Sequence, residues 1–211
     1  MNVLLIANGE VRDYEYIKHF IKGYGRVYCC DGGVRHCEKL SLFPNVIVGD
    51  FDSSSEIEFD KYVELGAEIF KFPAEKDCTD TELCILKAID DGAKSIIILG
   101  GLGKRFDHAL ANAHILKHAL ENNVAAKLID EHSEIFLIDK EAQVKDRVGG
   151  TISLIPLTTE AKGVTITGVK YPLFNHTLKV GSSFSVSNFI TENIVNVSIS
   201  SGNIFVIIAR D

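Results

Sequence analysis

With 211 residues, the chain has room for one large domain or two small ones, and either can bury a working core. A composition that is 46% hydrophobic and 24% charged is that of a soluble globular protein. A formal net charge of −7 argues against a general basic surface for gripping nucleic acid, yet admits a phosphorylated ligand, because a bound divalent cation can reverse the local field. In chain order, apolar strand-like runs are expected at Val3–Ala7, Val27–Cys30, Val46–Val48, Glu68–Phe72, Ser95–Leu99 and Ala125–Ile129. Helix-like segments lie between them: Ser55–Leu65, with an apolar face of Ile57, Phe59, Tyr62, Val63 and Leu65; Thr81–Asp91; and Phe106–Asn122. Continuous apolar strands alternating with helices predict a mainly parallel, Rossmann-like α/β sheet over residues 1–130.

From residue 131 to 211 the pattern changes to short β-branched segments, GGTISLIPL, GVTITGV, SSFSVS, NIVNVSIS and NIFVIIA, separated by Gly, Pro, Asn and Ser. They predict an all-β sandwich or jelly-roll-like second domain. The five cysteines, Cys29, Cys30, Cys37, Cys78 and Cys84, form no Cys-x-x-Cys pair, and their odd number suggests free thiols in a reducing compartment. MNVLLIANGE lacks a basic start and a long apolar run, and no stretch approaches the length of a membrane span. The expectation is a cytoplasmic protein that meets neither membrane nor nucleic acid.

Ligands of an open parallel sheet bind outside the carboxyl ends of its strands. There the sequence places Asp31 in CCDGG, Asp50 and Asp52 in VGDFDSS, Asp80 in KDCTDTE, and the glycines of GGLGKRFDH. Each has a bland reading. Asp-x-Asp suits a turn or an N-cap, Asp31-Gly32-Gly33 a strand-to-helix turn, and Thr79–Glu82 a capping box. The sharper reading gathers Asp50, Asp52 and Asp80 around Mg²⁺, which resolves their mutual repulsion and bridges to phosphate oxygens. GGLGKRFDHALAN is not a Walker loop, since Ile98 replaces its first glycine and Arg105 its Ser/Thr. Gly100, Gly101 and Gly103 nonetheless let backbone N–H groups approach a ligand before a helix, with Lys104 and Arg105 adding positive charge. His114 and His118 read as ordinary helix residues, and His108 alone among the histidines sits beside a candidate site.

The ordered set DGG, GDFDS, KDCTDTE and GGLGKRFDHALAN, continued by GGTISLIPL, GVTITGVKYPL and SVSN, resembles the thiamine pyrophosphokinase (thiamine diphosphokinase) family over nearly the whole chain. The resemblance implies transfer of a diphosphoryl group from ATP to the hydroxyethyl oxygen of thiamine, giving thiamine diphosphate and AMP. It also implies a homodimer whose active sites form between the α/β domain of one subunit and the β-domain of the other. Carried over by motif, Asp50, Asp52 and Asp80 hold Mg²⁺, and Asp31 belongs to the same acidic site. Thr79, Gly100, Gly101, Lys104 and Arg105 face ATP. Asp107 lies near thiamine, and Ser187 and Asn188 contact its aminopyrimidine ring from the partner subunit. The chain departs from the pattern in having no tryptophan to stack on thiamine and in carrying Lys76, whose contact is undefined. Two rivals stand beside this reading. A haloacid-dehalogenase-type phosphatase also uses Asp-x-Asp, but after its first strand, whereas here the pair follows the third. A non-catalytic thiamine or nucleotide sensor would bind without forming AMP.

Overall fold

In the computed structural model, residues 1–51, 59–72 and 77–210 are described, and they fall into two units, Met1–Glu131 and His132–Asp211. The first unit carries strands β1 (Asn2–Ile6), β2 (Arg26–Cys30), β3 (Val46–Gly49), β4 (Glu68–Lys71), β5 (Ser95–Leu99) and β6 (Ala125–Ile129). All pair in parallel, in the order β6-β5-β1-β2-β3-β4. The helices are α1 (Tyr14–Ile17), α2 (Val34–Leu40), α3 (Phe59–Glu64), α4 (Asp80–Asp90), α5 (Phe106–His114) and α6 (Leu116–Glu121).

Both faces of this sheet are covered, which is why its strands read as unbroken apolar runs. Leu4, Ile6, Val27, Cys29, Ile47, Ile97 and Leu99 point into one core, where Val34, Cys37 and Leu40 of α2 and Tyr62 of α3 meet them. The alternate residues Val3, Leu5, Tyr28, Val46, Val48, Ile96 and Ile98 are buried too, as are Cys84, Ile85 and Ala88 of α4. The order of strands has a functional consequence. The chain builds outward from β1 through β2, β3 and β4, then returns to lay β5 on the other side of β1. That reversal opens a crevice at the carboxyl ends of β1 and β5, the place where sheets of this kind bind ligands.

One expected helix differs in detail. The run Phe106–Asn122 is divided at Ile115, where His118 N–H turns to the Ile115 carbonyl at 3.0 Å, a tighter turn than an α-helix makes. Of Ser55–Leu65, Phe59–Glu64 form α3, and the residues before Phe59 lie outside the described ones. Among the described residues no helix is long and apolar enough to cross a membrane.

The second unit holds β7 (Ser133–Ile138), β8 (Glu141–Lys145), β9 (Thr151–Pro156), β10 (Glu160–Thr167), β11 (Leu173–Lys179), β12 (Asn188–Phe189), β13 (Ile194–Ser198) and β14 (Ile204–Ala209). Its pairings are antiparallel, in the orders β12-β9-β14-β7 and β11-β10-β13-β8. Inward residues of both layers, among them Phe136, Ile152, Leu154, Val164, Ile166, Val195, Val197, Ile204 and Val206, make one core. This is the sandwich expected of the β-rich half. SSFSVS, however, is a loop rather than a strand: Ser187 sits at φ 57°, outside the range of a strand, and its N–H goes to the Ser153 hydroxyl at 2.9 Å.

Candidate active site

The crevice at the β1/β5 reversal is a cavity of about 860 Å³, lined wholly by the first unit. Four chain segments meet there: the ends of β1 and β2, the start of α4, and the glycine-rich loop after β5. Of the residues singled out in the sequence, Asp31, Thr79, Asp80, Gly100, Gly101, Lys104 and Arg105 line it, together with His108.

The two innermost loops touch through backbone. Ala7 N–H donates to the Leu99 carbonyl at 2.8 Å, and Gly9 N–H to the Gly100 carbonyl at 2.9 Å. The approach requires glycine at both positions. A Cβ on Gly9 would lie 2.2 Å from the Gly100 oxygen, and Gly100 itself adopts φ 65° with its Cβ position 2.6 Å from the Ala7 oxygen. Deeper in, the buried Asn112 of α5 donates from its side-chain amide to the Gly101 carbonyl at 2.8 Å, tying the loop to the helix that follows it.

The acidic edge is built from strand ends. Asp31, 4% exposed, opens the turn after β2, and its side chain lies across Gly49 at the end of β3. A Cβ on Gly49 would come 2.7 Å from the Cβ of Asp31, so the bare backbone of Gly49 is what admits that carboxylate. Asp50 follows directly, half-buried, and is not among the described residues lining the cavity. Asp52 lies outside the described residues, as does Lys76. Asp80 starts α4, where Thr79 acts as N-cap, its hydroxyl oxygen accepting from Glu82 N–H at 3.2 Å. That bond uses the oxygen and leaves the Thr79 hydroxyl proton to donate elsewhere. The α4 N-terminus thus offers N–H groups and a favourable dipole to an anion at the cavity wall.

The cationic groups are engaged. Lys104 Nζ is 3.5 Å from Glu10, which also pairs with Arg12 at 2.8 Å, so Glu10 is held below the usual carboxylate range chiefly by the Arg12 hydrogen bond. Arg105 binds Asp107 through two contacts, Nε to Oδ1 at 3.3 Å and a terminal nitrogen to Oδ2 at 2.6 Å. The Arg105 hydrogen bond pulls the Asp107 carboxyl down to about 2. Both side chains are well exposed, so this pair is open to solvent and to exchange for a ligand.

Ser187 and Asn188 stand in the second unit. Asn188 forms a clip: its amide donates to the Tyr171 carbonyl at 2.7 Å and its oxygen accepts from Tyr171 N–H at 3.1 Å. Both halves of the side chain therefore hold the bend that presents Tyr171, an exposed aromatic ring.

Sequence reasoning missed Asn8, Gly9, Glu10, Tyr14, Arg35 and His36, all of which line the cavity. The signal was there in part: ANGE ends the first strand at the same edge as the other motifs, with an Asn-Gly turn pair.

A doubly covered parallel sheet with a cavity at its reversal point, bordered by carboxylates and followed in the chain by a β-sandwich, is the architecture of a two-unit α/β protein that binds its ligand at the sheet edge. Comparison with known proteins narrows the class. Residues 17–128 match the family described as thiamin pyrophosphokinase, catalytic domain, and residues 136–204 that described as thiamin pyrophosphokinase, vitamin B1 binding domain. The thiamine pyrophosphokinase of Bacillus subtilis is 31% identical over 172 residues, covering 81% of this chain and 80% of that protein. Thiamine pyrophosphokinase 1 of Oryza sativa subsp. japonica is 30% identical over 184 residues, covering 82% and 69%. The crystal structure of the Bacillus subtilis thiamine pyrophosphokinase superposes with a TM-score of 0.89 at 26% identity, over the full length of both chains. The chain belongs to the thiamine pyrophosphokinase family and is an enzyme, a kinase of the diphosphotransferase type.

Proposed function

We propose that the cavity of the first unit binds ATP with Mg²⁺, and that the second unit supplies the thiamine site. The diphosphoryl group then passes from ATP to the hydroxyethyl oxygen of thiamine, releasing AMP. The observation that carries this reading is the meeting of Asp31, Thr79 and Asp80 with the Gly100–Arg105 loop around one cavity at the sheet's reversal point.

The donors on the acidic edge are all oxygen, which fits a hard cation. Among the described residues no three His, Cys, Asp or Glu side chains gather closely enough to enclose an ion. Mg²⁺ keeps several waters and shares phosphate oxygens, so it needs few protein ligands. Asp50, Asp52 and Asp80 are the proposed ligands, with Asp31 beside them. Bound there, the ion would neutralise charge on the transferring phosphates.

The chain's own groups do the rest. Gly100, Gly101 and the α4 N-terminus present N–H groups to phosphate oxygens, and the Thr79 hydroxyl donates to another. Lys104 and Arg105 exchange their carboxylate partners for phosphate, a change that costs little at exposed pairs. The thiamine hydroxyl oxygen attacks the β-phosphorus as AMP departs, and its proton passes to a carboxylate of the acidic edge. Asp107, released from Arg105, and Ser187 and Asn188 of a second subunit are the proposed thiamine contacts.

A homodimer follows from that last assignment, and the exposed rings of Phe174, Phe184 and Phe189 on the second unit support a covering partner. The five unpaired cysteines support a reducing, cytoplasmic setting. The deciding experiment supplies ATP, Mg²⁺ and thiamine and resolves the nucleotide products. Thiamine-dependent AMP in step with thiamine diphosphate is expected; ADP or free phosphate in its place would refute diphosphoryl transfer.

A further inference from the structure

Three cavity-lining residues that the reaction above does not use, Tyr14, Arg35 and His36, grip the loop after β1. Arg35 donates to the Asn8 carbonyl at 2.6 Å. His36, 3% exposed, places Nε2 2.8 Å from the Gly9 carbonyl and Nδ1 2.7 Å from the Tyr14 hydroxyl. A carbonyl can only accept, so Nε2 carries the proton. Nδ1 is then bare and accepts from the phenol. Arg35 Nε, 3.5 Å from the same Nε2, is too distant to compete. The result is a directed relay from the Tyr14 hydroxyl through neutral His36 to the Gly9 carbonyl. Burial, which disfavours the imidazolium, works in the same direction.

The relay has a stereochemical effect. In a trans peptide the C=O and N–H point opposite ways. With the Gly9 carbonyl held by His36, the N–H of Glu10 faces away from the ring, on the side of Gly103, whose Cβ position lies 3.6 Å from that nitrogen. Among the described residues this N–H has no acceptor. The preceding peptide is fixed at both ends, its carbonyl on Arg35 and its N–H on the Gly100 carbonyl. Successive pinned peptides leave one donor to spare, at the edge of an 860 Å³ cavity that Gly9, Glu10 and Gly103 line.

We propose that Tyr14 and His36 are positioning residues that act through the Gly9 carbonyl to hold the Glu10 N–H as a donor to a phosphate oxygen of the bound nucleotide. The proposal rests on the assignment of the cavity to ATP. It predicts a selective loss of nucleotide binding, because both side chains lie in the cavity assigned to ATP.

The test uses full-length Tyr14→Phe, His36→Leu and His36→Gln proteins. Gln can replace the Nε2 donor to Gly9, whereas Leu cannot. His36→Leu is expected to raise the KM for ATP about tenfold, and Tyr14→Phe severalfold, each with the thiamine KM within twofold of wild type. His36→Gln should recover most of the loss. Unchanged ATP KM values, equal rises for both substrates, or a Gln variant no better than Leu would overturn the proposal. Should His36→Leu fail to fold, Tyr14→Phe and ¹⁵N spectra of His36 decide. A ring protonated at Nδ1, or charged at neutral pH, would refute the relay. Photolabelling wild-type protein with 8-azido-ATP separates the two ideas. Label outside the cavity loops would overturn the ATP assignment and this proposal with it. Label within them, with unchanged KM values, would overturn the relay alone.

Discussion

Gly9→Ala tests whether the crevice depends on backbone contact between its two loops. Gly9 does not adopt a positive φ, so alanine suits its local conformation and the effect is steric. The new methyl would stand 2.2 Å from the Gly100 oxygen and 3.1 Å from its carbonyl carbon, neither of which can rotate aside. Ordinary contact begins about 1 Å further out, so the loops must part by that much and stretch or break the 2.9 Å bond between them. Losing a buried backbone hydrogen bond costs about 1 kcal/mol, and the forced shift about 1–3 kcal/mol more. Together these are a sizeable share of the ~5–15 kcal/mol that holds a domain folded. At ~2–4 °C per kcal/mol for a chain of this size, the melting temperature should fall by about 4–16 °C. A misplacement near 1 Å at the phosphate edge should also raise the KM for ATP by one to two orders of magnitude, roughly. Calorimetry and initial rates measure both quantities. A variant with Tm within 1 °C and ATP KM within twofold of wild type, to about experimental error, would refute the argument that contact between these loops shapes the site.

Other outcomes follow from single interactions. Asp80→Asn keeps the N-terminal end of α4 but removes a proposed metal ligand, so turnover should fall by about two orders of magnitude with Tm little changed, read by AMP release at saturating Mg²⁺. Full activity would remove Asp80 from the metal set. The Asp107 carboxyl should titrate near pH 2 in ¹³C spectra and return toward ordinary aspartate values in Arg105→Gln. Because its pKa is depressed in the folded state, whatever the pair adds to stability is present at neutral pH and is lost as pH falls toward 2. Asn188→Ala removes both bonds to the Tyr171 backbone and should lower stability by about 1–2 kcal/mol, measured by urea unfolding. It should raise the thiamine KM more than the ATP KM, and the reverse order would place Asn188 outside the thiamine site.

The parallel half was legible because each strand is buried on both faces and so reads as one apolar block, as in SIIIL and NVLLI. Strands of mixed composition were harder. Leu173–Lys179 alternates weakly and Ser133–Ile138 follows a polar turn, so neither stood out. SSFSVS failed for the opposite reason. Its composition suits a strand, but the partner Ser153 draws the Ser187 N–H into a bend that only the folded chain defines. The same holds at the site. Asp31, Thr79, Asp80 and the Gly100 loop were found because their residue types announce a turn, a cap or an anion loop at a strand end. Tyr14 and His36 lie 22 residues apart and acquire a role only when α2 is laid against the loop after β1. No local pattern encodes that approach.

The seating of Asp31 on Gly49 constrains how this sequence can drift. With the two Cβ positions 2.7 Å apart, any side chain at 49 and any side chain at 31 compete for one volume. The positions form a mutational lock. Any route that gives residue 49 a side chain must displace residue 31 or first reduce it to glycine, so, on the proposed role of Asp31, a population selected for turnover finds no single step in that direction. Were both sites randomised together, activity would be recovered only from clones retaining the pair, while clones selected for folding alone could trade one residue against the other.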